Sequence, residues 1–414
     1  MVFIDNYITK MLDTQKCYVI LTYFDFNTIL TKKIIHSYLV TLVEQNPILT
    51  KVIQHDKWVY GDTPFILENH YTIRNIPWNK LPAYTNHLLN TPISQKSRWN
   101  VVLVRDLQQQ SSRLYFKIEH SYCDGYKLIE MLTKVISPTY TPPKFKRKWC
   151  SLVTTLYYWI LGTLYLYVMN LVWIVSHFVI KQQFEQSKVD YSIPQKRINL
   201  FCGELALDRL KQISLENQVT VNTVLYVLMV KTWYYYTKPT YSKILGACPI
   251  RMNPATAAAG CETGSNHIIH HSNNMFFIFL EIEHDPDNKK LFRKVDEIFN
   301  LYKHSFYVPI AHHLLSVCFP FIPSEISNQL FHEMYGILDF NYTNIIGPNI
   351  ENPLHEMCPT NIQFTTVTNS KEACCNIISY KNKVNVNLSF RKGIIKHPSR
   401  YLRAFEKARE EVES

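Results

Sequence analysis

The seven residues Glu119-His120-Ser121-Tyr122-Cys123-Asp124-Gly125 constrain this chain more than any other stretch. They stand between a strand-like run, Leu114-Tyr115-Phe116-Lys117-Ile118, and a helix-like one, Tyr126-Lys127-Leu128-Ile129-Glu130-Met131-Leu132. A histidine placed where a strand gives way to a turn can project its ring into a cleft. An aspartate four residues on, followed by glycine, lets the backbone bend sharply while the carboxylate turns inward. A neutral imidazole with a pKa near the working pH is suited to take a proton from a hydroxyl or an amine. A plainer reading of the same residues stays open, with His120 an ordinary histidine of a strand–turn–helix and Asp124 a helix cap.

Composition narrows the function classes. A chain of 414 residues can bury a large core and suggests two domains or a two-lobed body. A hydrophobic content of 47% with only 10 glycines argues against disorder and against glycine-rich phosphate loops. No G-x-x-x-x-G-K-[ST], G-x-G-x-x-G or G-x-S-x-G occurs, which disfavours nucleotide hydrolysis, dinucleotide binding and the serine-hydrolase elbow. Ten scattered cysteines without a C-x-x-C pair, and no secretory signal at the start, read as reduced thiols in a cytosol-facing protein. Cys123 reads as a packing residue rather than a nucleophile. His267, His270 and His271, like His312-His313, read as loop or surface histidines, so no metal is expected. The net charge of +11 has two readings: it suits an anionic membrane surface or the phosphates of coenzyme A, or it is a solvated basic surface, which accounts for most of the lysines. Nucleic acid is disfavoured, because the basic residues are dispersed apart from Lys144-Phe145-Lys146-Arg147-Lys148.

H-x-x-x-D-G marks acyltransferases with the chloramphenicol-acetyltransferase-like fold, and further segments follow it in a shared order. Val43-Glu44-Gln45-Asn46-Pro47-Ile48-Leu49, Trp99 to Val104, Leu207-Asp208-Arg209-Leu210-Lys211 and Thr220-Val221-Asn222-Thr223-Val224-Leu225 are four of them. Cys248-Pro249-Ile250-Arg251, Asn273-Asn274-Met275 and Thr343-Asn344-Ile345-Ile346-Gly347-Pro348 complete the set. In this order the chain resembles the wax ester synthase/diacylglycerol acyltransferase family from near residue 17 to residue 405.

The resemblance implies an α/β (α+β) fold with two lobes, mixed sheets and a central tunnel with His120 at its middle. It implies acyl-CoA entering from one face and diacylglycerol or a long-chain alcohol from the other. Transfer would be direct, with His120 as general base, no acyl-enzyme, and no cofactor beyond acyl-CoA as co-substrate. Asp124 and Gly125 would shape the turn, with Asp124 pairing with an arginine for which Arg251 is the first candidate. Asn222, Asn274 and Asn344 would contact substrate or the oxyanion. Asn222 has a plainer alternative, satisfying the first turn of a long apolar helix. Two further functions remain open: a related acyltransferase on a non-lipid alcohol or amine, and a catalytically silent lipid-binding relative.

Three positions depart from the family pattern. Glu119 replaces the first of two histidines; its carboxylate either raises the basicity of His120 or faces solvent from the other side of the strand. Thr223 stands where the family has aspartate, so any role of that aspartate is absent or borne elsewhere. Ile346 replaces a proline, which should loosen its turn slightly.

From Cys150 to Ile180 there is no Asp, Glu, Lys or Arg. As one helix this run would reach about 45 Å, enough to cross a bilayer. A single crossing, however, would separate His120 from Asn222, Arg251 and Asn344. The segment is therefore expected to return as a re-entrant hairpin, bending near Gly162 or Asn170, or to lie in the interface. The alternative is a buried helical hairpin. The expected division is an N-terminal lobe over 1–143, a membrane-associated apolar insertion over 144–190 and a C-terminal lobe over 191–414. The implied location is the cytosol-facing surface of a membrane or lipid droplet.

Hydrophobic patterning predicts strands at Cys17–Phe24, Trp99–Val104, Leu114–Ile118, Lys243–Ile250, Met275–Glu283 and Lys383–Phe390. Helices are predicted at Lys32–Gln45, Asp208–Gln218, Thr220–Tyr235 and Ser399–Val412.

Overall fold

The computed structural model describes residues 19–54, 57–61, 64–93, 98–142, 152–169, 196–237, 243–251, 275–318, 321–323, 338–350, 353, 357–367 and 373–414. Two mixed sheets organise these residues. In the first, β1 (Val19–Phe26), β4 (Tyr71–Asn75), β5 (Trp99–Asp106), β6 (Ser111–Glu119) and β11 (Asn361–Val367) lie in the order β11-β1-β6-β5-β4. The second comprises β7 (Arg197–Ala206), β8 (Lys243–Arg251), β9 (Met275–Glu283), β10 (Phe340–Ile345), β12 (Ala373–Tyr380) and β13 (Lys383–Arg391). Its order is β7-β13-β12-β10-β8-β9. A short hairpin, β2 (Lys51–Gln54) and β3 (Lys57–Tyr60), stands apart.

The strand that carries the motif is buried along its whole length. Alternation of side chains explains how such a strand serves two layers. Phe116 and Ile118 pack with Phe24, Trp99 and Phe364 under helices α1 (Lys32–Gln45) and α3 (Gly125–Ile136). On the opposite face Tyr115 packs with Tyr23 and with Leu88 of α2 (Leu81–Asn90). Lys117 also lies on that face, buried, and its ammonium donates to the carbonyls of Leu88 and Thr91. A cation on these unpaired carbonyls at the end of a helix is favourable.

The two halves of the chain interpenetrate at β11. This strand comes from the second half yet pairs antiparallel with β1 of the first sheet, Gln363 opposite Tyr23. Its other contacts run to β12 and β13. Asn376 accepts from the Thr366 hydroxyl at 2.7 Å, Asn385 donates to the Asn361 side chain at 2.7 Å, and Asn387 donates to Gln363 at 3.1 Å. Asn376, Asn385 and Asn387 are fully buried, so these hydrogen bonds to β11 offset part of the cost of burying their amides. At the edge of the second sheet, Asn86 and Asn90 of α2 bond to the backbone of Asn199 and Arg197, covering the open side of β7.

The second core forms around α6 (Val221–Thr237), which is buried all round from Thr223 to Trp233. A helix apolar on every face belongs inside a protein. It packs against α5 (Leu207–Glu216), α7 (Asn288–His304) and α9 (Pro398–Glu413). An ion pair between buried Lys231 and half-buried Glu411, at 3.0 Å, ties α6 to α9.

Of the apolar insertion, Leu152–Tyr157 form an α-helix, α4, which passes through a π-turn at Tyr158–Gly162 and stays helical to residue 169. The expected bend at Gly162 is not found. Leu301 of α7 lies where a side chain at Gly162 would begin, 2.9 Å from an ideal Cβ, so the glycine is there for close packing. Asn170 and the rest of the run lie outside the described residues. Among those residues no helix is long and apolar enough to cross a membrane.

Candidate functional site

β6 ends at Glu119, the chain turns through residues 120–122, and α3 starts at Gly125. The turn is held at several points. Glu119 N–H donates to the Arg98 carbonyl at 2.8 Å, and Tyr122 N–H donates to the Glu119 carbonyl at 3.1 Å. The Tyr122 hydroxyl donates to the Lys51 carbonyl at 2.8 Å. Asp124 is the N-cap, its carboxylate accepting from Lys127 N–H at 2.7 Å. Ser121, Tyr122, Cys123 and Asp124 are buried, while His120 is part-exposed with Nδ1 shut off from solvent. Burial, reinforced by Asp124, pushes the Cys123 thiol well up, which keeps it protonated and in the packing role expected of it.

Glu119 does not face solvent, contrary to one of its two expected roles. It is buried and pairs with Arg98, Nη1 to Oε2 at 2.7 Å. The carboxylate next to His120 thus has a guanidinium as its ion-pair partner.

Across from this turn, β10 delivers Asn344 and α6 delivers Asn222. Asn344 Nδ2 donates to Asn222 Oδ1 at 3.0 Å, and the buried Tyr342 hydroxyl donates to the same oxygen at 3.0 Å. Burial raises the Tyr342 hydroxyl well above its ordinary range, so it remains a donor. Two donors converging on Oδ1 set the orientation of the Asn222 amide. The first turn of α6 is not satisfied by Asn222, as its plainer alternative had it. The Thr220 hydroxyl takes that place, accepting from Thr223 N–H at 3.1 Å.

The carboxylate missing at position 223 comes from another helix. Thr223 Oγ1 donates to Asp296 Oδ1 of α7 at 2.7 Å, and Thr220 N–H reaches the same oxygen at 3.3 Å. Asp296 and Tyr342 are the residues that sequence reasoning missed. Tyr342 lies two residues before Asn344 and on the same side of the strand, a spacing that marks it in retrospect. Asp296 is 73 residues from its partner, with no local signal.

The two halves of the site meet at Gly125. An ideal Cβ there would lie 2.9 Å from Cδ1 of Ile345, the residue after Asn344. The H-x-x-x-D-G turn and the Asn344 strand end are thus in contact at a glycine, where an added side chain would have to displace the end of Ile345. β8 runs parallel to β10, and the last residue of β8 is Arg251. The side chain of Arg251, and with it the proposed pairing to Asp124, lies outside the described residues, as do Asn274, His267, His270 and His271.

Beyond Ile345 the chain is pinned by Gly347. Its N–H donates to the Ser379 hydroxyl at 3.2 Å, and an added Cβ would fall on the Ser379 carbonyl. Ile346 beside it is exposed. Gly347→Ala should therefore lower stability by about 1–3 kcal/mol, because backbone rather than a flexible side chain has to yield. A chemical melt with an unchanged midpoint would refute that close approach.

The family matched by sequence is the WS/DGAT C-terminal domain, over residues 272–413. No curated protein matches the chain significantly in sequence. Among solved structures, the wax ester synthase/diacylglycerol acyltransferase from Marinobacter aquaeolei VT8 is similar with a TM-score of 0.56 and 13% identity, covering 96% of this chain and 94% of that one. The first condensation domain of the calcium-dependent antibiotic synthetase, in complex with a substrate analogue, is similar with a TM-score of 0.56 and 11% identity, over 99% and 95% of the two chains. A variant of the starter condensation domain of the rhizomide synthetase RzmA in complex with C8-CoA is similar with a TM-score of 0.56 and 11% identity, over 98% and 93%. These likenesses establish the two-lobed, mixed-sheet fold related to chloramphenicol acetyltransferase. Residues 272–413 thus match the C-terminal domain of the wax ester synthase/diacylglycerol acyltransferase family, and the chain as a whole is similar in fold to a solved enzyme of that family.

Proposed function

We propose that this chain is an acyl-CoA-dependent O-acyltransferase that moves a fatty acyl group to the hydroxyl of diacylglycerol or a long-chain alcohol. The observation that carries the reading is the contact of the His120 turn with the Asn344–Asn222 pair through Gly125 and Ile345. In this reading His120 takes the proton of the acceptor hydroxyl as its oxygen attacks the thioester carbonyl. The carbonyl oxygen becomes an oxyanion, for which the amide N–H groups of Asn222 and Asn344 are the donors in reach of this end of the strand. Collapse expels the coenzyme A thiolate, which recovers the proton from the imidazolium. No cofactor beyond acyl-CoA is needed, and the bound C8-CoA in a similar fold supports acyl-CoA as donor. The lobes as divided by sequence, the tunnel between them, and a site of action on the cytosolic surface of a membrane or lipid droplet belong to the same proposal.

The test is labelled palmitoyl-CoA offered to the purified protein with diacylglycerol, with a long-chain alcohol, and with a short water-soluble alcohol. Labelled triacylglycerol or wax ester is expected. Transfer to the short alcohol alone would replace the lipid acceptor with a non-lipid one, and no transfer to any would overturn the reading.

A further inference from the structure

Large exposed hydrophobic side chains are not spread over this protein. Fifteen of the twenty-one among the described residues lie in two stretches, 153–169 and 306–321. The first is the helix that begins with α4. Its inner face packs on the body through Gly162 against Leu301 and through Leu166, which is buried. Its outer face carries Val153, Leu156, Ile160, Leu164 and Val168, spaced three or four apart and all exposed. The second stretch contains a helix that hydrophobic patterning had not predicted, α8 (Tyr307–Cys318). Ile310, Leu314 and Val317 form an exposed stripe on it, continued by Phe306 before it and Phe321 beyond it.

The two stripes adjoin. Trp159 and Phe306 rings lie 4.8 Å apart, Phe306 N–H donates to the Thr163 hydroxyl at 2.9 Å, and Tyr167 meets Tyr307 edge-on at 4.9 Å. A contiguous exposed apolar patch built from two helices far apart in sequence is the kind of surface that marks an interaction site.

We infer that α4 with its continuation and α8 together form a docking platform for the phospholipid surface of a bilayer, on which the protein lies without spanning it. Three observations favour lipid over a protein partner. Neither helix carries an acidic or basic residue other than His312 and His313, and a leaflet, unlike a protein interface, asks for no matching polar groups. Aromatic residues that suit the headgroup depth, Tyr157, Trp159 and Tyr165, are exposed among the aliphatic ones. The chain carries a net +11, and Lys303 lies near this face at the end of α7, which complements anionic headgroups. One face of the described helix is already occupied by α7, which leaves the opposite, exposed face for a lipid surface. The inference deepens the proposed function and rests on it for the lipid acceptor, but vesicle binding is read without turnover.

The experiment is co-sedimentation of the full-length protein with vesicles of equimolar phosphatidylcholine and phosphatidylserine. Leu164→Glu on the first helix and Leu314→Glu on α8 should each weaken binding about tenfold or more, the worth of one large side chain moved from hydrocarbon to water. Leu215→Glu, an equally exposed leucine on α5, should bind as the parent does. Unchanged melting keeps the variants comparable. His120→Ala should bind vesicles fully, so loss of transfer with binding intact would count against the enzyme reading alone. Parental binding by Leu314→Glu would overturn the two-helix platform. So would a dimer in solution that the same substitutions dissolve, which would make a second copy the occupant.

Discussion

His120→Ala is expected to reduce acyl transfer by ~10²–10⁴-fold, the usual worth of a positioned general base, while leaving the thermal melt unchanged. The fold should tolerate the change because the turn is anchored by its neighbours: Glu119 on Arg98, Tyr122 on Lys51 and Asp124 on Lys127. Initial rates with palmitoyl-CoA and the better acceptor, alongside circular-dichroism melts, provide the check. More than half the activity in a folded His120→Ala protein would remove His120 from the chemistry. Asp124→Asn makes a useful companion, since it retains a capping oxygen and the shape of the turn.

Asp25→Ala should have the largest effect on stability, about 3–5 kcal/mol, the cost of leaving a buried charge without its partner. The Asp25 carboxylate takes both arms of Arg113, at 2.5 and 3.0 Å, and a third donor from Asn361 at 3.2 Å. Both charged residues are buried, and the Arg113 guanidinium lies 4.2 Å from the Tyr23 ring and 5.0 Å from Trp78. Since Asp25 is on β1, Arg113 on β6 and Asn361 on β11, this one carboxylate ties the motif strand to the strand contributed by the other half of the chain. Against a total stability of about 5–15 kcal/mol, such a loss is severe. Denaturant midpoints of Asp25→Ala and the milder Asp25→Asn measure it; equal midpoints for Asp25→Ala and parent would show the pair to be replaceable.

Local patterns were reliable where local physics decides the outcome. The helix over Lys32–Gln45 and the strand over Met275–Glu283 have the bounds that patterning predicts, and the strand, turn and helix around His120 follow the expected order. Where no local pattern stood out, elements were missed. The short strands β2, β3 and β4 and the longer β7, β10, β11 and β12 were not predicted, nor were α2, α7 and α8. Most of these strands are buried through pairing partners distant in sequence, and α8 is apolar enough to hide its period.

At the site the division is similar. His120, Asp124, Gly125, Asn222 and Asn344 stand out in the sequence as candidates because their motifs are short and ordered. Their partners were not. Arg98, just before β5, pairs with Glu119, and Asp296 supplies a carboxylate to Thr223 from another helix. Gly162 serves as a contact for Leu301 although its position within an apolar run suggested a bend.

The sequence by itself determined the type of most major elements and the likeness of its C-terminal part to a known domain, because propensity, periodicity and motif order act over a few residues. Only the tertiary structure decided that β11 completes the first sheet, that Asn222 is held by Tyr342 and Asn344, and that α4 and α8 share one exposed apolar face. Each of those contacts joins segments far apart in the chain, and their pairing is selected by burial and hydrogen bonding across the whole fold rather than by neighbouring residues.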